Sequence, residues 1–542
     1  MNMVTTEAKT RVLIVGAGPT GLMMASQLAR FKIPFRIIEK NEGPTTQSRA
    51  LVIQPRSLEL FEQMGIAERA VKQGRTFQTI NYVVNGKLAQ RVPLGNFGKG
   101  LTKFPFLLIL EQSKTEPLLA SFLEKRGHRV EWQTELVSFN QDNSGVQATL
   151  KHLDKEETIE ADWLIGADGA SSPVRKMLDI PFGGETYKES LFVLDCKINW
   201  PFKDGEAAIA LSKDAFGMFF PMTDGRCRVS GIVSEEYVDK DTISFDEVNR
   251  DFAKNLKMDV TLSDPQWISL YHAHHRYVAQ FRKGRCFLAG DAAHVHSPAG
   301  AQGMNTGLQD AYNLAWKLAL VIRGQAEQTI LDTYQEERLP IARKLVQTTD
   351  RVFGITVSEN PFVVFWRVHV IPRFVALIPK EKHLLRFAFR LISQIAIAYG
   401  DSSLSRDGSL GSFPRTAPRP GDRLPFVTFH ENNELINIQD KVKAPAFHLL
   451  LFLRNSSDEK IKAVHDLVDQ YNDMIQIQRI FFALGSNDIF EIFGVQNGGY
   501  YLVRPDMYVA YRSNTFNQNH LKAFLKRIDL KRTIQATSGS NT

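Results

Sequence analysis

RVLIVGAGPTGLMMASQLARFKIPFRIIEK, residues 11–40, sets the frame for everything after it. The apolar run 12–15 predicts a buried parallel strand. It stops at Gly16, Gly18 and Gly21, spaced G-x-G-x-x-G, and an apolar-periodic helix follows through Leu22, Ala25, Leu28 and Ala29. A second strand over 34–38 ends in Glu39, eighteen residues after Gly21. Gly16 permits the tight turn, Gly18 lets the backbone approach a pyrophosphate, and Gly21 lets helix pack on strand. Pro19 and Thr20 open a helix whose free N–H groups suit an anion. Glu39, with Lys40 beside it, is placed to accept from ribose hydroxyls. An ordinary strand-to-helix turn needs neither the second strand nor the acid, so the stretch reads as a dinucleotide site in an α/β fold.

The 542 residues are enough for two or three domains, and 43% hydrophobic with 23% charged residues describes a soluble globular chain. A net charge of +7, scattered rather than blocked, suits a phosphorylated cofactor or carboxylated substrate and points to no nucleic acid. Three cysteines, Cys196, Cys227 and Cys286, with no C-x-x-C spacing, argue against disulfides or zinc and for a cytoplasmic location. The polar N-terminus lacks a signal core. The most membrane-like segment, 361–379, is broken by Arg367, His369, Pro372 and Arg373, so stable insertion is not expected, while surface association of 361–398 stays open.

Along the chain, Arg49 suits either a cofactor phosphate or a surface ion pair. A helix is expected over 54–65, and short strands over 77–110 with turns at 85–86 and 95–96. Gln112 stands where a strand gives way to a helix. A strand is expected near 130–132, and a hairpin turn at 142–145 leads to another over 146–152. Asp168 and Gly169 follow a buried strand at 163–165, the end of a strand where open α/β sheets bind ligands. Residues 191–269 alternate as a mixed or antiparallel sheet with one helix near 245–256. Within it Phe216, Phe219 and Phe220 suit a flat apolar substrate or an ordinary core.

A further strand, 286–289, ends at Gly290 and Asp291, and a Gly/Ala/Pro-rich loop, 292–304, precedes a helix over 305–323. The helix start at Gly303 and Asn305 would direct its positive end at a ring lying over the loop. His294 and His296 lack further ligands nearby, so no metal is expected. Residues 401–425 read as a Gly/Ser/Pro/Arg linker. Beyond it the order β-α-β-β-β-α fills 426–535, with a disordered tail, 536–542.

GAGPTG at 16–21, GADG at 166–169 and AGDAAHVHSPAGAQGMNTGLQDA at 289–311, in this order, resemble the single-component FAD-dependent aromatic hydroxylases, in the branch of phenol hydroxylase, pentachlorophenol monooxygenase and hydroxyphenylpropionate hydroxylase. The third motif carries most of the specificity. The resemblance implies an α/β chain with a Rossmann-like three-layer FAD-binding domain (1–185 and 270–350) and an inserted β-sheet substrate domain (77–110 and 186–269). A helical segment (351–400) and a thioredoxin-like C-terminal domain follow, the latter marked by LVRPDMYVAYR at 502–512 and denied a redox role by its lack of cysteine. It also implies that Glu39 binds the adenosine ribose, Val137 touches adenine through its backbone, Arg49 and Gln112 hold the phosphate and ribityl region, and Asp291 after Gly290 holds the ribityl chain. The loop from Pro298 through Gly303, Met304 and Asn305 holds the isoalloxazine, and Asp168 serves both FAD and NADPH.

The implied reaction is hydroxylation of a phenolic or polyketide-like substrate: NADPH or NADH reduces the flavin, O2 adds at C4a, and the hydroperoxide passes oxygen to the ring. Pro298 and Arg276 are the residues placed at the chemistry, Arg276 against a phenolate or carboxylate or else as an ion-pair partner. Where phenol hydroxylase has an acidic residue this chain has Leu51, which leaves the deprotonating group open. Baeyer–Villiger insertion, antibiotic inactivation, a non-catalytic flavin carrier and a homodimer also stay open.

Overall fold

The computed structural model describes residues 8–48, 50–95, 97–213, 215–233, 242–297, 300–375, 382–408, 413–454, 459–482 and 487–533. Four strands carry the predicted turns: β1 (Ala8–Val15), β2 (Phe35–Ile38), β3 (Lys155–Gly166) and β4 (Cys286–Leu288). They pair in parallel in the order β4-β3-β1-β2. Val15 lies opposite both Ile38 and Gly166, and Gly166 opposite Leu288, so the carboxyl ends are level. Leu13, Ile14, Leu164, Ile165 and Phe287 are inaccessible to solvent, as expected of a parallel sheet covered on both faces. Helix α1 (Pro19–Arg30) follows β1. The helix Pro55–Met64 ends where Gly65 turns left-handed at φ 73°.

An antiparallel hairpin, Thr134–Gln141 with Val146–His152, extends this sheet. The strand expected near 130–132 reduces to one bridge between Glu131 and Ile38, because Gln133 turns left-handed (φ 54°) and the regular strand starts after it.

The β-rich stretch forms an eight-stranded sheet in the order His294–Val295, Thr261–Val278, Phe182–Asn199, Cys227–Ile232, Phe216–Pro221, Ala207–Leu211, Thr79–Val84, Lys87–Pro93. The helix Phe245–Leu256, started by a reciprocal Ser244–Glu247 capping box, buries Val248, Phe252 and Leu256 in a core with Phe192 and Phe219. The expected turn at Asn85 and Gly86 is present, both with positive φ. Asn96, in the other expected turn, lies outside the described residues.

The chain divides into two compact units, one of Met1–Ala29, Pro34–Ala311 and Leu339–Ile395, the other of Arg30–Ile33, Tyr312–Arg338 and Ala396–Thr542. The second contains a five-stranded sheet ordered Arg406–Asp407, Val509–Ser513, Gly499–Val503, Phe447–Leu453, Ile475–Phe481. Its core holds a buried ionic cluster. Lys317 Nζ lies 2.8 Å from Glu337 Oε2, Arg504 donates to both Glu337 oxygens, and Arg504 Nε donates to Asp506 Oδ1 at 2.9 Å. Burial pulls the Lys317 ammonium down to about 8 against the opposing pull of Glu337.

The expectation that 401–425 is a linker needs correction. Arg406–Asp407 pairs with Tyr511 and Arg512, Leu424 is fully buried, and the Gly421 N–H donates to Val509 O at 2.7 Å. Gly421 turns left-handed (φ 87°) and the Ala417 N–H donates back to Pro414 O, so here Gly and Pro serve tight turns against the sheet, which composition alone does not separate from a loose tether. The tail 536–542 lies outside the described residues.

Candidate functional site

Three turns leave the sheet at its carboxyl edge. The Gly16 N–H donates to Ile38 O (2.9 Å), Ala167 N–H to Val15 O (2.9 Å) and Ala289 N–H to Gly166 O (3.0 Å). Open α/β sheets bind ligands at this edge. Gly16 has φ 100°, and a Cβ there would lie 2.4 Å from Ala167 O; one at Gly21 would lie 1.9 Å from Gly16 O. Around Gly18, by contrast, nothing comes within 4 Å of the Cβ position, so the backbone is open to a ligand. Thr20 joins the first turn to the third: a Cβ on Gly290 would lie 2.5 Å from Thr20 Oγ1, and one on Gly307 2.3 Å. Pro19 and Thr20 open α1, as the sequence predicts.

Glu39 is fixed beside the first turn. Its Oε2 accepts from Ala17 N–H at 2.9 Å, and its Oε1 from the Asn41 amides at 3.1 and 2.6 Å. Lys40 beside it is exposed. Asp168 Oδ2 accepts from Val174 N–H at 3.0 Å at the start of helix α2 (Pro173–Met177), and Ser172 caps the same helix. Asp168 Oδ1 is buried with no hydrogen-bond partner among the described residues, and burial raises this carboxyl above its ordinary value against the pull of the Ser172 hydroxyl and the Val174 N–H. A buried acceptor left unpaired next to an open backbone is where a ligand hydroxyl fits. Gly169 follows at φ 80°.

Arg175, unmarked by local sequence, ties the second turn to the third. It donates to Ala292 O at 2.9 Å and Ala170 O at 2.8 Å. Burial lowers its pKa, Asp168 opposes that shift, and the Arg276 charge adds to it. Asp291 is exposed on the short turn Gly290–Ala292. Under that turn His294 Nε2 and Asp310 Oδ2, both nearly inaccessible, lie 2.7 Å apart, and Asp310 Oδ2 also accepts from Gly290 N–H at 3.1 Å. His294 thus braces the turn. Burial holds His296 at about 4, so it is neutral near pH 7.

Helix α3 (Gly303–Ile322) begins two residues earlier than expected, with Gly303 and Met304 in its first turn. Asn305 is fully buried and wholly committed to protein: Oδ1 accepts from Gln54 N–H (2.9 Å) and Ser57 Oγ (2.8 Å), and Nδ2 donates to Val52 O (2.8 Å) and Ala301 O (3.1 Å). An amide has two acceptor and two donor positions, and all are used, so this side chain positions the loop rather than touching a cofactor. Gln54 adds bonds to Gly300 O and Ala301 O at 3.1 and 3.2 Å. Gly300 and Ala301 are both left-handed, at φ 82° and 52°. A strained alanine held in place by its neighbours is typical of functional loops.

Gln112 opens its helix by donating backbone N–H to Ser48 Oγ at 2.6 Å, and its amide donates to Glu116 at 2.8 Å. Val137 falls at a register shift, between the pairs Leu136–Leu150 and Ser138–Thr149. Arg276 Nη2 donates to Thr186 Oγ1 at 2.9 Å, on a strand that pairs with Val295. Strand alternation parts the three phenylalanines. Phe219 is buried beneath the helix Phe245–Leu256, while Phe216 and Phe220 share the opposite face. Phe220 there joins an apolar cluster with Leu51, Phe77, Phe389 and Ala301. Arg49 and Pro298 lie outside the described residues.

Residues 9–349 match the FAD binding domain family. 6-Methylpretetramide 4-monooxygenase of Streptomyces rimosus is 32% identical over 546 residues, spanning 96% of this chain and 94% of that protein. The chain belongs to the FAD-dependent monooxygenases. Pentachlorophenol 4-monooxygenase of Sphingobium chlorophenolicum is 35% identical, with 65% of this chain and 66% of that protein aligned. Aklavinone-11 hydroxylase, solved as a ternary complex with FAD and aklavinone, matches with a TM-score of 0.78 at 25% identity over 98% of this chain and 100% of that one. The residues at the sheet edge fit FAD: an open backbone at Gly18, an unpaired Asp168 oxygen and a pinned loop ahead of α3.

Proposed function

We propose that this monooxygenase hydroxylates a phenolic or polyketide-like aromatic compound, consuming O2 and NADPH or NADH. The convergence of three turns on one sheet edge carries the reading. Bound FAD supplies the electron and oxygen chemistry. The chain's own work is to bind, orient and keep water out. The Gly16–Gly21 turn and the start of α1 would take the pyrophosphate, Glu39 the adenosine ribose, and Asp168 and Asp291 sugar or ribityl hydroxyls. The loop Gly300–Gly303, pinned by Gln54 and Asn305, would lie along the ring. The apolar cluster of Leu51, Phe220 and Ala301 supports an aromatic substrate beside that loop and favours exclusion of water. Leu51 is buried and apolar, so proton removal from a phenol would fall to a group elsewhere.

The test is turnover by the purified holoenzyme on a panel of phenols and polyketide aromatics. The reading predicts substrate-stimulated NADPH oxidation and a ring hydroxyl carrying one atom of labelled O2. Insertion into a carbon–carbon bond would instead support a Baeyer–Villiger reaction, and failure to consume either co-substrate would support a flavin carrier.

A further inference from the structure

Of the six exposed Phe and Trp side chains among the described residues, five fall in one short stretch: Phe362, Phe365, Trp366, Phe374 and Phe387. Phe362 and Phe387 are 69% and 67% exposed, whereas most aromatic side chains among the described residues are buried. The chain is helical from Pro361 to Val375 and again over Lys382–Ile392. In the first run Phe362, Phe365, Trp366, His369 and Arg373 recur at helical spacing on the solvent side. The opposite side is anchored by Arg367, which donates to Ser212 O and Lys213 O at 3.3 and 3.1 Å. That anchor fixes which way the aromatic stripe points.

The second run carries two apolar stripes. Leu385, Ala388, Phe389 and Ile392 face inward, into the cluster that contains Leu51 and Phe220. Leu384, Phe387 and Leu391 face outward, at spacings of three and four, with Arg386 and Arg390 exposed among them. A helix that only covered a core would need the inner stripe alone. Aromatic and leucine side chains interleaved with arginine are the composition of a helix lying in a lipid interface. Neither 361–375 nor 382–395 contains an Asp or Glu, so every charge on these two helices is cationic, with Glu359 and Glu381 flanking them in the sequence. In a two-fold contact between copies of this chain the same cations would face one another unpaired, which opposes self-association. An anionic lipid surface complements both the charge and the apolar stripes.

We propose that the outer faces of helices 361–375 and 382–392 dock this protein reversibly on anionic phospholipid membranes, with the aromatic side chains at headgroup depth. Among the described residues no helix is long and apolar enough to cross a membrane, so docking is peripheral. The proposal stands independently of the hydroxylase reading.

The test is flotation of the full-length holoenzyme with vesicles of phosphatidylcholine alone or mixed with phosphatidylglycerol, at low and high salt. Binding is expected to the anionic vesicles, weakened by salt, with Trp366 emission quenched by brominated lipid and no such quenching in Trp366→Phe. Phe365→Ser with Phe387→Ser is expected to lower partitioning about tenfold or more, because each ring loses most of its apolar transfer energy. Arg386→Gln with Arg390→Gln should reduce anionic-vesicle binding by about tenfold and remove most of its salt dependence. All four positions are exposed, so thermal midpoint and flavin content should match the wild type. Absence of binding to anionic vesicles at low salt overturns the proposal. So does retained binding by the phenylalanine variant, or a wild-type dimer that this variant converts to a monomer without any vesicle binding in either form.

Discussion

Replacing Asn305 with alanine separates a residue that positions the loop from one that holds the cofactor. The side chain makes four hydrogen bonds in a fully buried setting. Ser57 can rotate its hydroxyl elsewhere, and Ala301 O keeps its bond from Gln54 Nε2. The partners left without substitutes are Gln54 N–H and Val52 O, and at about 1–3 kcal/mol for each orphaned buried group the loss is about 2–6 kcal/mol. Urea denaturation of the FAD-stripped protein, followed by tryptophan fluorescence and circular dichroism, reads this directly. Asn305→Asp keeps the acceptor positions but loses both donors and buries a charge, so it should be at least as damaging. If FAD-free Asn305→Ala stays within about 1 kcal/mol of the wild type while FAD affinity collapses, the side chain is a ligand contact and the positioning role is refuted.

Gly16→Ala should abolish FAD retention or folding, since φ 100° and a 2.4 Å approach to Ala167 O leave no room. Gly18→Ala should keep the wild-type thermal midpoint and weaken only FAD affinity, measured by flavin fluorescence titration. Glu337→Gln should cost about 3–5 kcal/mol in denaturant titrations by leaving Lys317 and Arg504 undercompensated in a dry interior, and a loss below about 1 kcal/mol would contradict the buried cluster. His296, held at about 4 against 6.5 when unfolded, contributes stability that is complete above pH 6.5 and is lost as pH falls toward 4. His296→Gln should therefore flatten the acid limb of the stability–pH curve by about 3 kcal/mol, and an unchanged limb would refute the assignment.

The cofactor edge was legible because its demands are local. A turn that must pass Ala167 O closely accepts only glycine, and the G-x-G-x-x-G spacing writes that in the sequence. The other two turns, far apart in sequence, were brought to the same edge only through the resemblance to the FAD-dependent aromatic hydroxylases, and the structure does set the turns after Val15, Gly166 and Leu288 on one sheet edge. Contacts depending on long-range packing were not legible. Arg175 follows GADG without any mark that its guanidinium bonds to Ala292 O, and the His294–Asp310 pair looks like an H-x-H motif until Asp310 arrives from the next helix. The phenylalanines show the same limit. Alternation separates Phe219 from Phe220, but only the packing of the helix Phe245–Leu256 shows which face is core. Composition misread 401–425, because Pro and Gly serve a built-in turn as readily as a tether.

A crystal structure of the FAD-reconstituted protein decides whether one FAD spans the three turns. The pyrophosphate is expected against Gly18 and the start of α1, a ribose on Glu39, and a new hydrogen bond from FAD to the buried Asp168 Oδ1. A flavin bound away from this edge, or an Asp168 oxygen still unpaired with FAD in place, overturns that placement.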